Sequence, residues 1–433
     1  MQSASCYTPR AMVEASSQSN GRAESPVSPA PTTSPNLPPR TPLGRLVGHP
    51  RTALLIGRVA HGAAEIIEGR GGKLHRIQRI DEGTELRGVD LIMFGESLTL
   101  ERDPVAALRR RAESLSDGGH ILVDLPRGRG TDDAVFRGEN AIKIIEDAGL
   151  EVMRVEDDTE SPLYTRFAKS IHSLITKMPR TRVGQAMVVA RRPPKPGPLS
   201  LTVGMLTLNE IDSIEPMIAD IRKYAPDAKI LIVDSSSDET PNIATRLGAR
   251  VVRQLPPRGH GPAMERLMYE AAKDSDALIY LDCDFTYPSA TIPRIRELLE
   301  AGADVVNTTR THSYPKEMPV PNFVANRFFA ATAQIVHGIP TTDVHSGMRG
   351  YRSSVTRAFD FDGSGDALPL HTLILPAKAH YHVAELPIPY FERVGPSKLA
   401  KLRGTAWTFI RIATAIGEGT RVRHGVRYRH VDE

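Results

Sequence analysis

Four prolines fall within eight residues at Arg191-Arg192-Pro193-Pro194-Lys195-Pro196-Gly197-Pro198, so neither a helix nor a strand can run through this stretch of the 433-residue chain. On each side, short apolar runs alternate with segments of helical spacing. In the first half, Ala53–Gly57, Lys73–Arg79, Val89–Phe94, His120–Asp124 and Ala186–Ala190 read as strands. Pro104–Leu115 reads as a helix, with Ala107, Leu108, Ala112 and Leu115 on one face. In the second half, strands are expected at Ser200–Met205, Ala228–Val233, Arg250–Gln254 and Ala277–Leu281. Helices are expected at Ile211–Tyr224, Asn242–Leu247 and Pro262–Lys273. Alternation of this kind predicts an α/β protein of two doubly wound, parallel, Rossmann-like domains. Residues 1–50, with eight prolines between Pro26 and Pro50, are expected to be a disordered tail. The remaining boundaries are 51–192 for the first domain, 193–198 for the linker, 199–404 for the second domain and 405–433 for a C-terminal segment.

A formal charge of +4 does not suggest nucleic-acid binding, but from Lys398 to Glu433 eight Lys or Arg face three Asp or Glu. The two cysteines, Cys6 and Cys283, lie in unrelated contexts, which predicts no disulfide and fits a reducing, cytoplasmic setting. No secretory leader is expected from the first residues, and no run reaches the roughly 18 apolar residues of a membrane span.

The strand at Ala277–Leu281 runs directly into Asp282-Cys283-Asp284. Open α/β sheets bind ligands at the carboxyl ends of their strands, where such a pair suits a divalent cation and a ribose or diphosphate. A solvated turn accounts for two aspartates equally well. The neighbouring strand ends, Leu206-Thr207-Leu208-Asn209-Glu210 and Val233-Asp234-Ser235-Ser236-Ser237-Asp238-Glu239-Thr240, bring further polar and acidic groups to the same edge. The loop Arg258-Gly259-His260-Gly261-Pro262-Ala263 would let backbone approach a phosphate at the start of the next helix.

Taken in order, Thr-x-Asn-Glu, Asp-x-x-Ser-x-Asp-x-Thr, Gly-x-Gly-x-Ala and Asp-x-Asp resemble the inverting family-2 glycosyltransferases, whose nucleotide-sugar-binding fold is of the GT-A type. Asp343–Arg352, Glu385–Ile388 and Arg393–Leu399 narrow the resemblance to the dolichyl- and polyprenyl-phosphate mannosyltransferases, over about residues 199–404. The resemblance implies a nucleotide-sugar donor, a phosphorylated lipid or metabolite acceptor, and Mg²⁺ or Mn²⁺. It places Glu210 and Asp234 on the nucleotide, with Thr207 and Asn209 shaping that loop and Asp238 and Gly259 among the nucleotide-binding positions. Asp282 meets the ribose or the metal-bound diphosphate, and Asp284 ligates the metal. Arg310, Arg327 and Lys398 would hold the acceptor phosphate, with help from Arg349 and Arg352.

A phosphate acceptor is already anionic, whereas a hydroxyl acceptor needs a base, for which Asp343 is the first candidate and Asp366 or His371 the next. Three departures bear on sugar and acceptor identity. Leu206 and Leu208 replace the family's Pro and Tyr, Thr286 stands where an amide is usual, and Leu368–Leu373 replaces an acidic helix. A scaffold in which both domains are degenerate is the non-enzymatic alternative.

Ala53–Gly62, Gly95–Leu98, Asp103–Val105 and Leu115–His120 resemble a class I methyltransferase. Leu55 takes the position of the family's acidic residue, and Val59 and His61 replace glycines of its turn. The expectation is a fold retained without S-adenosylmethionine binding. Finally, Leu399, Leu402, Trp407, Ile410, Ala413 and Ile416 form a stripe among Lys401, Arg403 and Arg411. Over 399–429 this suits either peripheral contact with the inner face of an anionic membrane or packing on the catalytic domain.

Overall fold

The structure is a computed structural model that describes residues 42–59, 61–80, 82, 86–95, 98, 101–125, 139–156, 186–392, 401–417 and 426–431. Its first unit opens with helix α1 (Pro42–Val47), strand β1 (Thr52–Ile56), α2 (Ala63–Gly69), β2 (Lys73–Ile77) and β3 (Val89–Phe94). It continues with α3 (Pro104–Ala112), β4 (Leu115–Leu125), α4 (Glu139–Asp147), β5 (Glu151–Glu156) and β6 (Ala186–Arg191). The strands form one sheet in the order β2-β1-β3-β4-β6-β5.

Alternation along the strands sends side chains to both faces. Ala53, Leu55, Leu91 and Met93 pack with α1 and α2, while Leu54, Ile56, Ile92 and Phe94 pack with α3 and α4. The expected all-parallel sheet is mixed, because β6 runs antiparallel to both β4 and β5. The tail expected over 1–50 is also corrected: α1 lies inside that range, and Leu46 and Val47 are buried against the sheet.

The second unit contains β7 (Leu201–Thr207), α5 (Ile214–Tyr224), β8 (Lys229–Asp234), α6 (Thr240–Arg246), β9 (Arg250–Arg253), α7 (His260–Asp274) and β10 (Ala277–Leu281). After these come α8 (Ile292–Glu300), β11 (Val305–Thr309), α9 (Val320–His337), β12 (Met348–Arg352), α10 (Ser353–Ala358), α11 (Leu368–Lys378), β13 (Val383–Pro387), α12 (Lys401–Gly417) and β14 (Tyr428–His430). The sheet order is β14-β13-β11-β12-β10-β7-β8-β9. Again one strand breaks the parallel run: β12 lies antiparallel between β10 and β11. Ala277, Ile279 and Leu281 face α5 and α8, whereas Leu278 and Tyr280 face α7.

Two boundaries shift. β14 pairs with β13, and α12 buries Thr408, Ile412 and Ala415 against the body, so the segment set off after residue 404 takes the second of its two expected arrangements and completes the second unit. The proline-rich linker is pinned on both sides: Lys195 N donates to Asp117 Oδ1 at 2.8 Å, and Gly197 N to the Glu300 carbonyl at 3.0 Å.

The two units meet through buried charge. Arg191 donates to Asp304 at 2.7 Å and Glu151 at 2.9 Å while its guanidinium lies 4.8 Å from the Tyr381 ring centroid. Arg70 pairs with Asp360 at 2.8 Å, and Arg352 with Asp117 at 2.9 Å. Removing one partner from such a pair strands a charge in a dry environment, so these contacts hold the units in one arrangement.

Candidate active site

Strand order reverses at β7: β8 and β9 lie to one side, β10 and the rest to the other. Ligands of open α/β sheets bind in the crevice outside the carboxyl ends at such a reversal. Because β12 runs antiparallel, its beginning lies beside the ends of β10 and β11. Leu281 is opposite Met348, and Asp282 N donates to the Gly347 carbonyl at 3.1 Å. Asp282, Gly347 and the residues after β11 therefore share one rim.

Asp282 is half-buried and accepts a hydrogen bond of 2.6 Å at Oδ1 from the Tyr280 hydroxyl, which also meets His260 Nε2 at 3.2 Å. Burial beside Asp282 pushes the Tyr280 hydroxyl well above its ordinary pKa, so it stays a donor. Glycine at 347 leaves room for that carboxylate, since a Cβ there would come within 2.1 Å of Asp282 Oδ2 and push it aside. Asp284 is buried, and its Oδ1 accepts from Thr286 N at 3.1 Å and from the Thr286 hydroxyl. Phe285, between them, holds a positive φ of 61°, a sparsely populated conformation for a bulky residue that turns the chain sharply after β10.

On the β8 side, Asp234 is fully buried and engaged by protein. It accepts from Thr207 Oγ1 at 2.6 Å, Ser236 N at 3.0 Å, Ser236 Oγ at 2.6 Å and the Arg253 guanidinium. In this structure the Asp234 carboxylate, expected at the nucleotide, organises the loop, and Arg253 closes it through Ser236 O at 2.7 Å. Asn209, at a positive φ of 54°, receives Ser237 N on Oδ1 at 2.9 Å, and Glu210 N donates to Thr240 Oγ1 at 3.0 Å. Asp238 accepts from Thr240 N at 3.0 Å at the start of α6. Gly259 precedes α7 with φ 98° and open space around it. The next glycine is covered, because a Cβ on Gly261 would lie 2.2 Å from the Gly365 carbonyl.

On the β11 side, Arg310 grips Asp343 with Nε–Oδ2 at 2.7 Å and Nη2–Oδ1 at 3.0 Å, and its own N–H reaches Oδ2 at 3.2 Å. The guanidinium lies 5.5 Å from the ring centroids of both Tyr287 and Tyr390. The Tyr287 hydroxyl accepts from Gly347 N at 2.6 Å, so this cage touches the Asp282 rim. Asp343 is fully buried, and Arg310 holds its carboxyl below the usual range against the opposing effect of burial. A carboxylate bound this way is a poor proton acceptor, which corrects its expected role as a base. His371, the later candidate, is buried and bonded to the Arg411 carbonyl at 3.0 Å, a structural contact.

Arg327 is exposed on α9, with Nη1 3.4 Å from the Thr311 carbonyl. Lys398 lies outside the described residues. The two expected helpers are structural. Arg349 is fully buried on Asn307 Oδ1 at 2.6 Å and Val344 O at 2.9 Å, and Arg352 is spent on Leu299 O at 2.6 Å and on Asp117. Sequence reading missed Tyr280, Tyr287, Arg253 and Tyr390. Tyr280 had a signal, since it stands two residues before Asp282 and so on the same side of the chain. Tyr390 had none, because its place depends on packing.

Asp282 and Asp284 offer hard oxygen donors, and the described residues contain no cluster of three or more metal-ligating side chains. That donor set fits a cation of the Mg²⁺ or Mn²⁺ type, which binds through one or two carboxylates and completes its shell with water and phosphate oxygens.

Comparison with known proteins bears on the second unit. The sequence model of the family described as glycosyl transferase family 2 matches residues 202–359. A dolichyl-phosphate hexose transferase of Haloferax volcanii is 37% identical over 48% of this chain and 89% of its own length. An undecaprenyl-phosphate mannosyltransferase of Micrococcus luteus is 25% identical, over 51% of this chain and 97% of its own. Among solved structures, glucosyl-3-phosphoglycerate synthase from Mycobacterium tuberculosis with Mn²⁺, uridine diphosphate and phosphoglyceric acid aligns at a TM-score of 0.41. It is 20% identical and covers 50% of this chain and 78% of that one.

Proposed function

This chain belongs to glycosyl transferase family 2 and is an enzyme, and from that premise we propose that it transfers a sugar, with inversion, from a nucleotide-sugar to the phosphate of a polyprenyl lipid. The observation that carries the proposal is the shared rim: two carboxylates at the strand reversal, and an arginine cage joined to them through Tyr287 and Gly347. The first set suits a nucleoside diphosphate, the second an anionic acceptor.

In this mechanism the β7 and β8 loops bind the nucleoside, with Asn209 exposed, Glu210 half-buried beside it, and Asp234 and Arg253 fixing the loop behind them. Asp282 and Asp284 would hold the divalent cation, which when bound neutralises charge on the departing diphosphate. Tyr280 keeps Asp282 turned toward that position through its hydroxyl proton. Arg310, oriented by Asp343, presents its remaining N–H groups to an incoming phosphate, with Arg327 beside the entry. A phosphate oxygen attacks without a base, and the site matches this: Asp343 is committed to Arg310.

A lipid acceptor implies contact with a membrane. No helix among the described residues is long and apolar enough to cross one. The expected contact segment, 399–429, is only partly suited to the task, because α12 spends Arg411 and Ile412 on packing. Support comes instead from α9, whose outer face exposes Val320, Val324, Phe328 and Ile335, the last at 84%. Phe409 of α12 is 47% exposed and joins this face edge-on to Phe328 at 6.3 Å. Because α9 also carries Arg327, docking this face on a bilayer would bring a lipid phosphate to the arginine cage.

For the first unit we favour a methyltransferase-like sheet without a cofactor site. In support, the backbone after β3 and the loop after β1 approach closely where its strand order reverses: a Cβ on Gly95 would lie 1.7 Å from the Arg58 carbonyl.

The test is transfer from a panel of labelled nucleotide-sugars to a short-chain polyprenyl phosphate, with and without Mn²⁺. Product on the lipid phosphate supports the reading. Product only on hydroxyl acceptors overturns it.

A further inference from the structure

A cavity of about 90 Å³ lies on the flank of α7. Its lining comes from three places: Gln254 and Arg258 between β9 and α7, Glu265, Arg266 and Tyr269 along α7, and Phe359 and Phe361 after α10, with His49 of the first unit completing it. Gln254 is 5% exposed, and its Nε2 has no hydrogen-bond partner among the described residues. The same holds for Nε of Arg266, whose Nη2 pairs with Glu270 at 2.8 Å. Both residues line this one space, and a buried donor left without a partner loses its hydration and gains nothing in return unless an acceptor reaches it.

The charge around the cavity indicates the acceptor. Arg258 is exposed at the mouth, and His49 is paired with Asp360 at 3.3 Å. Glu265 is the one carboxylate in the lining, and it is directed at the chain opposite, because a Cβ on Gly363 would lie 2.1 Å from its Oε2. The remaining wall is apolar: Phe359 and Phe361 stack at 5.2 Å and 19°, and Tyr269 is fixed by its hydroxyl to the Arg70 carbonyl at 3.0 Å. A single water needs about 10–15 Å³ of such space, so this cavity takes several waters or one tetrahedral group.

We propose that the cavity is a binding site for a small oxyanion, a phosphate group, held by Gln254, Arg266 and Arg258 and bordered by the aromatic wall. Gln254 and Arg266 donate, Arg258 closes the mouth, and occupancy ties α7 to the first unit through His49 and Tyr269. The site is separate from the proposed acceptor cage around Arg310. A free phosphate ion and a phosphate ester satisfy the same donors, and the aromatic wall favours an ester with a flat organic part.

The test is thermal unfolding of the full chain in inorganic phosphate and in phenyl phosphate, against chloride at matched ionic strength. A ligand bound only by the folded state raises the melting temperature. The expected result is a rise in the wild type that is retained in Arg327→Ala and reduced at least tenfold in apparent affinity in Gln254→Glu and Arg266→Met. A larger effect of phenyl phosphate identifies an ester as the preferred source, and equal effects identify the free ion. Circular dichroism checks that each variant is folded, and for any that is not, Arg258→Glu at the exposed mouth takes its place. An unchanged rise in the cavity variants, its loss in Arg327→Ala alone, or no rise in the wild type overturns the site and leaves the cavity to ordered water.

Discussion

The Tyr280 hydroxyl donates a 2.6 Å hydrogen bond to Asp282 Oδ1, and the hydroxyl oxygen itself lies 3.2 Å from His260 Nε2 at the start of α7. The carboxylate at the strand end is thus aimed by a side chain from inside the sheet, and the aim is linked to the glycine-rich loop. Tyr280→Phe should keep the fold and lower kcat by roughly 10- to 100-fold, the range of a hydrogen bond to a charged group worth about 1.5–3 kcal/mol. Nucleotide affinity measured by calorimetry should change far less than kcat. A variant with wild-type turnover would remove the positioning role.

Asp284 tests the metal assignment. Its carboxylate accepts from Thr286 on the turn after β10, so Asp284→Ala should abolish Mn²⁺-stimulated turnover and lower the melting temperature modestly, while the protein still melts cooperatively. Activity near wild type in Mn²⁺ would move the metal elsewhere.

The Arg310–Asp343 pair makes a prediction about pH. The Asp343 pKa is lowered from 3.8 in the folded state by Arg310, so its contribution to stability is complete above the ordinary carboxylate range and fades as pH falls through the lowered value. Asp343→Asn leaves Arg310 buried without its counter-charge and should cost about 3–5 kcal/mol at neutral pH. The difference in melting temperature between wild type and variant should therefore narrow on acidification below pH 4. A constant gap down to pH 3 would refute the linkage.

The exposed face of α9 predicts membrane binding. Phe328→Glu with Ile335→Glu should weaken association with anionic phospholipid vesicles at least tenfold in a flotation assay, while hydrolysis of the nucleotide-sugar in solution is retained. These residues are exposed, so stability should change little. Equal partition of variant and wild type onto vesicles would discard this face.

The first unit should bind no S-adenosylmethionine. Titration calorimetry on the full chain should give no heat above dilution, because Leu55, Val59 and His61 stand where such a site needs an acidic residue and glycines, and the Arg58 backbone lies close against Gly95. Micromolar affinity, about −8 kcal/mol, would overturn the reading.

What the sequence determined by itself was the local part of this design. Alternation and spacing placed β10 correctly at Ala277–Leu281, and with it the two aspartates at a carboxyl end, because strand period and chain direction are properties of neighbouring residues. The family followed from the order of short motifs. What only the tertiary structure decided depends on β12 entering antiparallel between β10 and β11, a pairing set by contacts far apart in sequence. That insertion brings Gly347 to Asp282 and Asp343 to Arg310, turning an expected base into the partner of an arginine. The same dependence explains Arg349 and Arg352. In sequence they are cations near the motifs, but alternation along a strand covered on both faces buries them, and burial commits a guanidinium to the nearest carbonyls and carboxylates.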